Sequence, residues 1–260
     1  MARFKDWETE KNGSGLFFVL IALVVVAVLG ARYLGFYPGD SGGDIIITQT
    51  EPPVVNQLTR VSEPLVAVYH THTSQNYAPK DSFAKGDHGD IVEIGKVFAQ
   101  ELGLRGINVI HSQAVHDYPV FRVAYENAAE TVAATVNANN MLQMVFDLHR
   151  DGVPTSAPPT RVTTSLLGQE VARILLVVGK DNPYYAQNLA FANELQARME
   201  EMYPGLCRGV MVKEGTYNQE KHSQAVAVYI GSHPQTTIDQ AERSAKLLAN
   251  VVATMVQEPF

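Results

Sequence analysis

Two apolar runs of strand length end in histidine: Leu65-Val66-Ala67-Val68-Tyr69-His70-Thr71-His72-Thr73 and Leu142-Gln143-Met144-Val145-Phe146-Asp147-Leu148-His149-Arg150-Asp151. In an open α/β sheet, ligands gather at the carboxyl ends of the strands. Two such ends that deliver neutral imidazoles to one crevice would form the core of a zinc site, where the metal polarises a carbonyl and activates a water. His70 or His72, with His149, are the candidate ligands. Asp147 or Asp151 could hold a ligating ring in its tautomer. Arg150 beside them could pair with a carboxylate of a substrate. His88 or Asp90 could supply a third ligand from the start of the next helix, and Glu93 or Glu220 a general base. A bare pair of histidines in a hydrogen-bonding loop is the simpler reading that these assignments compete with. His111, His116, His222 and His233 read as ordinary surface histidines.

The elements that must position these residues alternate along the chain. Strands are expected at 65–69, 107–110, 142–148 and 225–230, and over the long apolar run 171–178. Helices are expected at 91–104, 183–202 and 236–257, with another at 118–139 that carries Pro119 in its first turn. That order predicts an α/β fold with a mainly parallel sheet and helices on both faces. The globular domain is expected over 61–260.

Ahead of it, Asn12 to Ala31 carries no charge. Twenty residues at about 1.5 Å each span a hydrocarbon core of roughly 30 Å. Arg3, Lys5 and Lys11 precede the run and only Arg32 follows closely. The positive-inside bias therefore keeps residues 1–11 in the cytoplasm, makes 12–31 a single-pass anchor in the cell membrane, and puts the domain on the extracytoplasmic side of a 32–60 linker. A cleaved signal peptide is the alternative, and it exports the domain equally. The net charge of −7 argues against nucleic acid as a partner. Cys207 is the sole cysteine, so no disulfide forms within the chain, and a buried inert thiol is expected.

Five further matches fall in order across roughly residues 60–255. The stretch 69–77 resembles the HTHTxESY signature of the stage II sporulation protein P family, and 146–151 its FDIHRD motif. Residues 176–189 are similar to VVGxxNPNYxxNL, 203–210 to YPGLSRG, and 217–219 to YNQ. The resemblance implies a membrane-anchored, zinc-dependent N-acetylmuramoyl-L-alanine amidase-like fold that acts on peptidoglycan, with other engulfment proteins of sporulation as partners. It also implies His70 or His72 and His149 as zinc ligands. Two positions depart from the pattern. Gln75 stands where the family has glutamate, and Tyr229 where its LIEFGG strand places the carboxylate that looks catalytic. An amide is a poor zinc ligand, and a phenol with a reference pKa of about 10 is a poor base at neutral pH. The chain is therefore expected to be either an amidase whose carboxylates come from elsewhere, or a degenerate relative that binds peptidoglycan or a partner protein without cutting.

Overall fold

The computed structural model of the 260-residue chain describes residues 65–153 and 161–257, together with 156 and 158. The expected cytoplasmic segment, anchor and linker lie outside the described residues. Among those described, no helix is long and apolar enough to cross a membrane.

Eight strands and four helices follow in order: β1 (Leu65–Tyr69), α1 (Asp90–Gly103), β2 (Asn108–His111), α2 (Ala124–Ala138), β3 (Leu142–Asp151), β4 (Thr163–Leu166), β5 (Gln169–Ala172), β6 (Ile174–Gly179), α3 (Tyr185–Met202), β7 (Cys207–Lys213), β8 (Ala225–Ser232) and α4 (Ile238–Gln257). Six of the strands form one sheet in the order β2-β1-β3-β8-β6-β7. Every pairing in it is parallel except β6 with β8. The mostly parallel α/β expectation therefore holds, with one antiparallel seam.

Alternation along the strands divides the side chains between two faces. Even-numbered residues, among them Val66, Val68, Met144, Phe146, Leu148, Val226 and Val228, pack with α1, α3 and α4 in the main core. Odd-numbered residues Ala67, Tyr69, Val145 and Ala225 pack against Ala128 and Val132 of α2. His149 lies on this α2 face, because it follows Val145 and Asp147 at intervals of two. His70 follows Val66 and Val68 onto the opposite face.

Two expected elements are corrected and one strand is added. The run 171–178 is not one strand: it divides at Arg173, whose Nε donates to the carbonyl of Gly205 at 3.0 Å and whose amide donates to Val162. Before that break, β5 turns back on β4 through Leu167 and Gly168, both at positive φ (52° and 75°), the geometry of a two-residue hairpin. β7 is an added edge strand, which a mixed Cys-Arg-Gly-Val-Met-Val-Lys sequence conceals. The helix expected from 118 begins at Ala124, after an extended Val120 and a 3-10 turn at Phe121–Val123. That late start leaves Phe121 exposed at the edge of the α2 face.

Candidate functional site

Register assembles the site. Tyr69 of β1 lies beside Asp147 of β3, and His149 beside Tyr229 of β8. All four project toward α2, so two rows of polar side chains stand on one sheet face. Asp147 is buried and accepts the Thr71 amide at 2.9 Å and the Thr71 hydroxyl at 2.7 Å. Its Oδ2 lies 2.8 Å from His149 Nε2, close enough for strong attraction. Burial alone would raise the Asp147 carboxyl; attraction to His149 and the Thr71 bonds outweigh it and hold the group below the usual carboxylate range.

After β1 the chain turns so that His72 meets His149, with ring centroids 5.6 Å apart. Two imidazoles on one metal at about 2.1 Å would have centroids at roughly this separation. The turn is held by buried Asp117, which accepts the Thr73 hydroxyl at 2.9 Å and the Ser74 hydroxyl at 2.6 Å. His72 stacks on Phe121 at 4.2 Å and meets Tyr125 edge-on at 5.6 Å. Burial, then the neighbouring His149, lowers its pKa to about 4, so it is neutral at physiological pH. The Nδ1 atoms of His72 and His149 are buried without a hydrogen-bond partner. Tyr229 covers His149 from the other side, 4.8 Å away and tilted by 15°. Burial pushes the phenols of Tyr125 and Tyr229 well up, so neither is a base at neutral pH.

The other expected residues are placed elsewhere. His70 is not free to ligate a metal: its Nδ1 meets the Leu148 carbonyl at 3.2 Å and its Nε2 meets His111 Nε2 at 2.8 Å, on the opposite sheet face. Gly95 makes room for that pair, since a Cβ there would lie 2.5 Å from both Nε2 atoms. His111 and His116 are therefore not surface residues. His116 is buried, with its Nδ1 at 2.8 Å from the His70 carbonyl and its Nε2 at 2.9 Å from the Thr131 hydroxyl. His88 is exposed and bonds the Gln113 carbonyl at 2.7 Å. Asp90 is buried and spends its oxygens on the Tyr77 amide and Lys80. Arg150 is also occupied, donating to the carbonyls of Asn76 at 2.9 Å and Ser82 at 2.7 Å, which makes it a loop clamp rather than a receptor for a carboxylate. Glu220 sits in a 3-10 turn at Gln219–Lys221, with Oε1 3.2 Å from Lys221 and Oε2 buried and unpartnered.

The donor set falls short of a catalytic zinc centre. His72 and His149 fit as two imidazole ligands, with Asp147 behind one of them in the manner of a ring-orienting carboxylate. Such a centre takes three protein ligands and keeps one open position. Among the described residues, no group of three His, Cys, Asp or Glu is placed to hold a metal. Gln75 is turned away as well: its Oε1 accepts the Arg150 amide at 2.8 Å. No chemical step through zinc follows from these residues.

A sequence model described as stage II sporulation protein P matches residues 41–253. Stage II sporulation protein P of Bacillus subtilis (strain 168) is 28% identical over 224 residues, covering 80% of this chain and 54% of the relative, so the chain spans about half the length of that curated protein. Among solved structures, the chain is similar to the CwlD amidase from Clostridioides difficile in complex with the GerS lipoprotein, with a TM-score of 0.50, 11% identity, and coverage of 75% of this chain and 98% of that one. It is also similar to N-acetylmuramoyl-L-alanine amidase from Clostridium difficile 630, with a TM-score of 0.49, 14% identity, and coverage of 76% and 99%. The likeness to the CwlD amidase shows the fold, in agreement with the amidase-like architecture expected from the motifs.

Proposed function

Because the chain belongs to the stage II sporulation protein P family, we propose that it works on the cell wall during sporulation, holding peptidoglycan at the His72–His149 cleft without hydrolysing it by zinc chemistry. One observation carries the second half of this reading: Gln75 is committed to the Arg150 amide while Tyr229 covers His149, so both family glutamate positions are spent on structure. What remains is a polar cleft with a neutral His72 at its edge. The edge of the His72 ring that reaches solvent can bond amide groups, such as those that join muramic acid to its stem peptide. His149 is fully buried, so His72, with 14% of its side chain exposed, is the edge that meets a ligand. The uncharged run 12–31 would tether this domain to the outer face of the membrane, where the wall and the other engulfment proteins lie.

Co-sedimentation with purified sacculi tests the proposal. The full-length protein should pellet with the wall equally with and without a metal chelator, and His72→Ala should weaken pelleting. Loss of binding on chelation would refute the metal-independent reading. Glu220 motivates a second reading, an amidase whose base comes from an unexpected position, because its Oε2 is buried and unpartnered on the turn that flanks α2.

A further inference from the structure

We propose that Phe83, Tyr118 and Phe121 form a platform on which the saccharide strand of the wall stacks, so that sugar enters the cleft from the Phe121 side and stem peptide from the Tyr125 side. The inference rests on the peptidoglycan reading above and assigns its ligand an orientation.

The three rings are 43%, 59% and 46% exposed, whereas most large apolar side chains among the described residues are buried. Phe83 and Phe121 meet edge to face at 5.3 Å, and the Tyr118 ring lies over Gly86, three residues along the chain from Phe83, where an added Cβ would come within 3.3 Å of it. Phe83 and Phe121 are also fixed from behind. His72 stacks on one face of Phe121 at 4.2 Å, and the Arg150 guanidinium, itself clamped to backbone carbonyls, lies 4.8 Å from the centre of Phe83. Rings held in this way lose little freedom when a ligand arrives, which favours binding.

Area decides what kind of ligand fits. Aromatic side chains present about 150–250 Å² each, so three rings about half exposed offer on the order of 300 Å². A stable protein interface takes about 800 Å² per partner. The patch is too small for such a partner and matches two or three flat sugar faces. It is also continuous with the cleft through the Phe121–His72 stack. On the opposite flank, an open cleft of about 300 Å³ is lined by Tyr125, Glu214, Gly215, Thr216 and Tyr217. The Lys213 ammonium lies 5.6 Å from the centre of the Tyr229 ring. This polar flank suits a stem peptide, and the aromatic flank suits N-acetylated sugar. The bond that joins sugar to peptide then falls at His72.

Titration of the full-length protein with the hexamer of N-acetylglucosamine, a glycan that carries no peptide, tests the assignment by calorimetry. Tyr118→Ala and Phe83→Ala should each weaken binding about five- to tenfold, whereas Leu104→Ala, at an exposed residue outside the platform, should leave it unchanged. Tyr118→Ala keeps the test valid if Phe83→Ala fails to fold. Hexamer binding equal in the wild type and in Tyr118→Ala would overturn the platform. Binding of intact sacculi without any binding of the hexamer would overturn it too, yet leave the wall reading standing. If neither binds, both fall. A self-association that Tyr118→Ala abolishes would instead mark the patch as a protein contact and overturn the proposal.

Discussion

Replacing Gly95 with alanine tests the packing that holds the first histidine motif in place. In the interior of a helix this change ordinarily stabilises by about 1 kcal/mol. Here the new methyl would stand 2.5 Å from His70 Nε2, 2.5 Å from His111 Nε2 and 2.7 Å from His70 Cε1, against a buried His70 and a half-buried His111. Either α1 lifts from the sheet, at the roughly 1–3 kcal/mol typical of overpacking, or the His70–His111 bond opens and strands a buried nitrogen at roughly 1–3 kcal/mol. If both happen, and the helix gain is subtracted, the net is a loss of about 1–5 kcal/mol. Gly103, in the last turn of the same helix, has nothing within 4 Å of an added Cβ. Gly103→Ala should therefore stabilise by up to about 1 kcal/mol. Denaturant unfolding followed by circular dichroism should give the two variants opposite signs. Adding His111→Ala to Gly95→Ala should recover part of the loss, because the two sites are in contact and their effects are not additive. If Gly95→Ala proves neutral or stabilising, the imidazole pair is not the rigid obstacle that these distances describe.

Acid should destabilise the fold before most carboxylates titrate. Burial foremost lowers His70 to about 3, with the neighbouring His111 adding to it, and burial likewise lowers His111 and His72 to about 4. Between pH 6.5 and about 4 the unfolded chain binds these protons and the fold does not, so stability rises with pH across that window and is lost as pH falls through it. His70 alone contributes a slope of about 1.4 kcal/mol per pH unit there; a thermal midpoint that stays flat from pH 6.5 to about 4 would contradict the assignment. Restoring both family carboxylates, with Gln75→Glu and Tyr229→Glu together, should raise zinc affinity at the His72–His149 pair, read by isothermal titration with zinc in chelator-treated protein. Gln75→Glu alone should account for most of that gain, since it brings the two imidazoles to the three ligands of a catalytic centre, whereas Tyr229→Glu restores the position of the base and will also cost stability by burying a charge beside Asp147.

β1 is apolar throughout and reads as a strand on that ground, and the two-residue period of a strand then separates the two faces of β1 and β3. Val66, Val68, Met144, Phe146 and Leu148 mark the main core, and Asp147 with His149 mark the other face. The same alternation assigns His70 to the core side, but it cannot select His72, which shares that parity and reaches the other face only because the chain turns after β1. The sequence could not reveal what stands opposite. His111 and His116 come from separate loops and strand ends, and only the fold brings them to His70. The edge strand β7 and the division at Arg173 were hidden because hydrogen bonds to distant carbonyls, rather than local periodicity, decide them. The departures at Gln75 and Tyr229 were legible as residue types. Their consequences, an amide turned to Arg150 and a ring laid on His149, required the side-chain geometry.

The most direct measurement is release of new amino termini from purified peptidoglycan by the full-length protein with zinc supplied, compared with His149→Ala. If the cleft binds without cutting, both proteins release only background amounts while the wild type still pellets with the wall. Sustained release by the wild type that His149→Ala abolishes would contradict the account and would make Glu220 the first residue to test as the base.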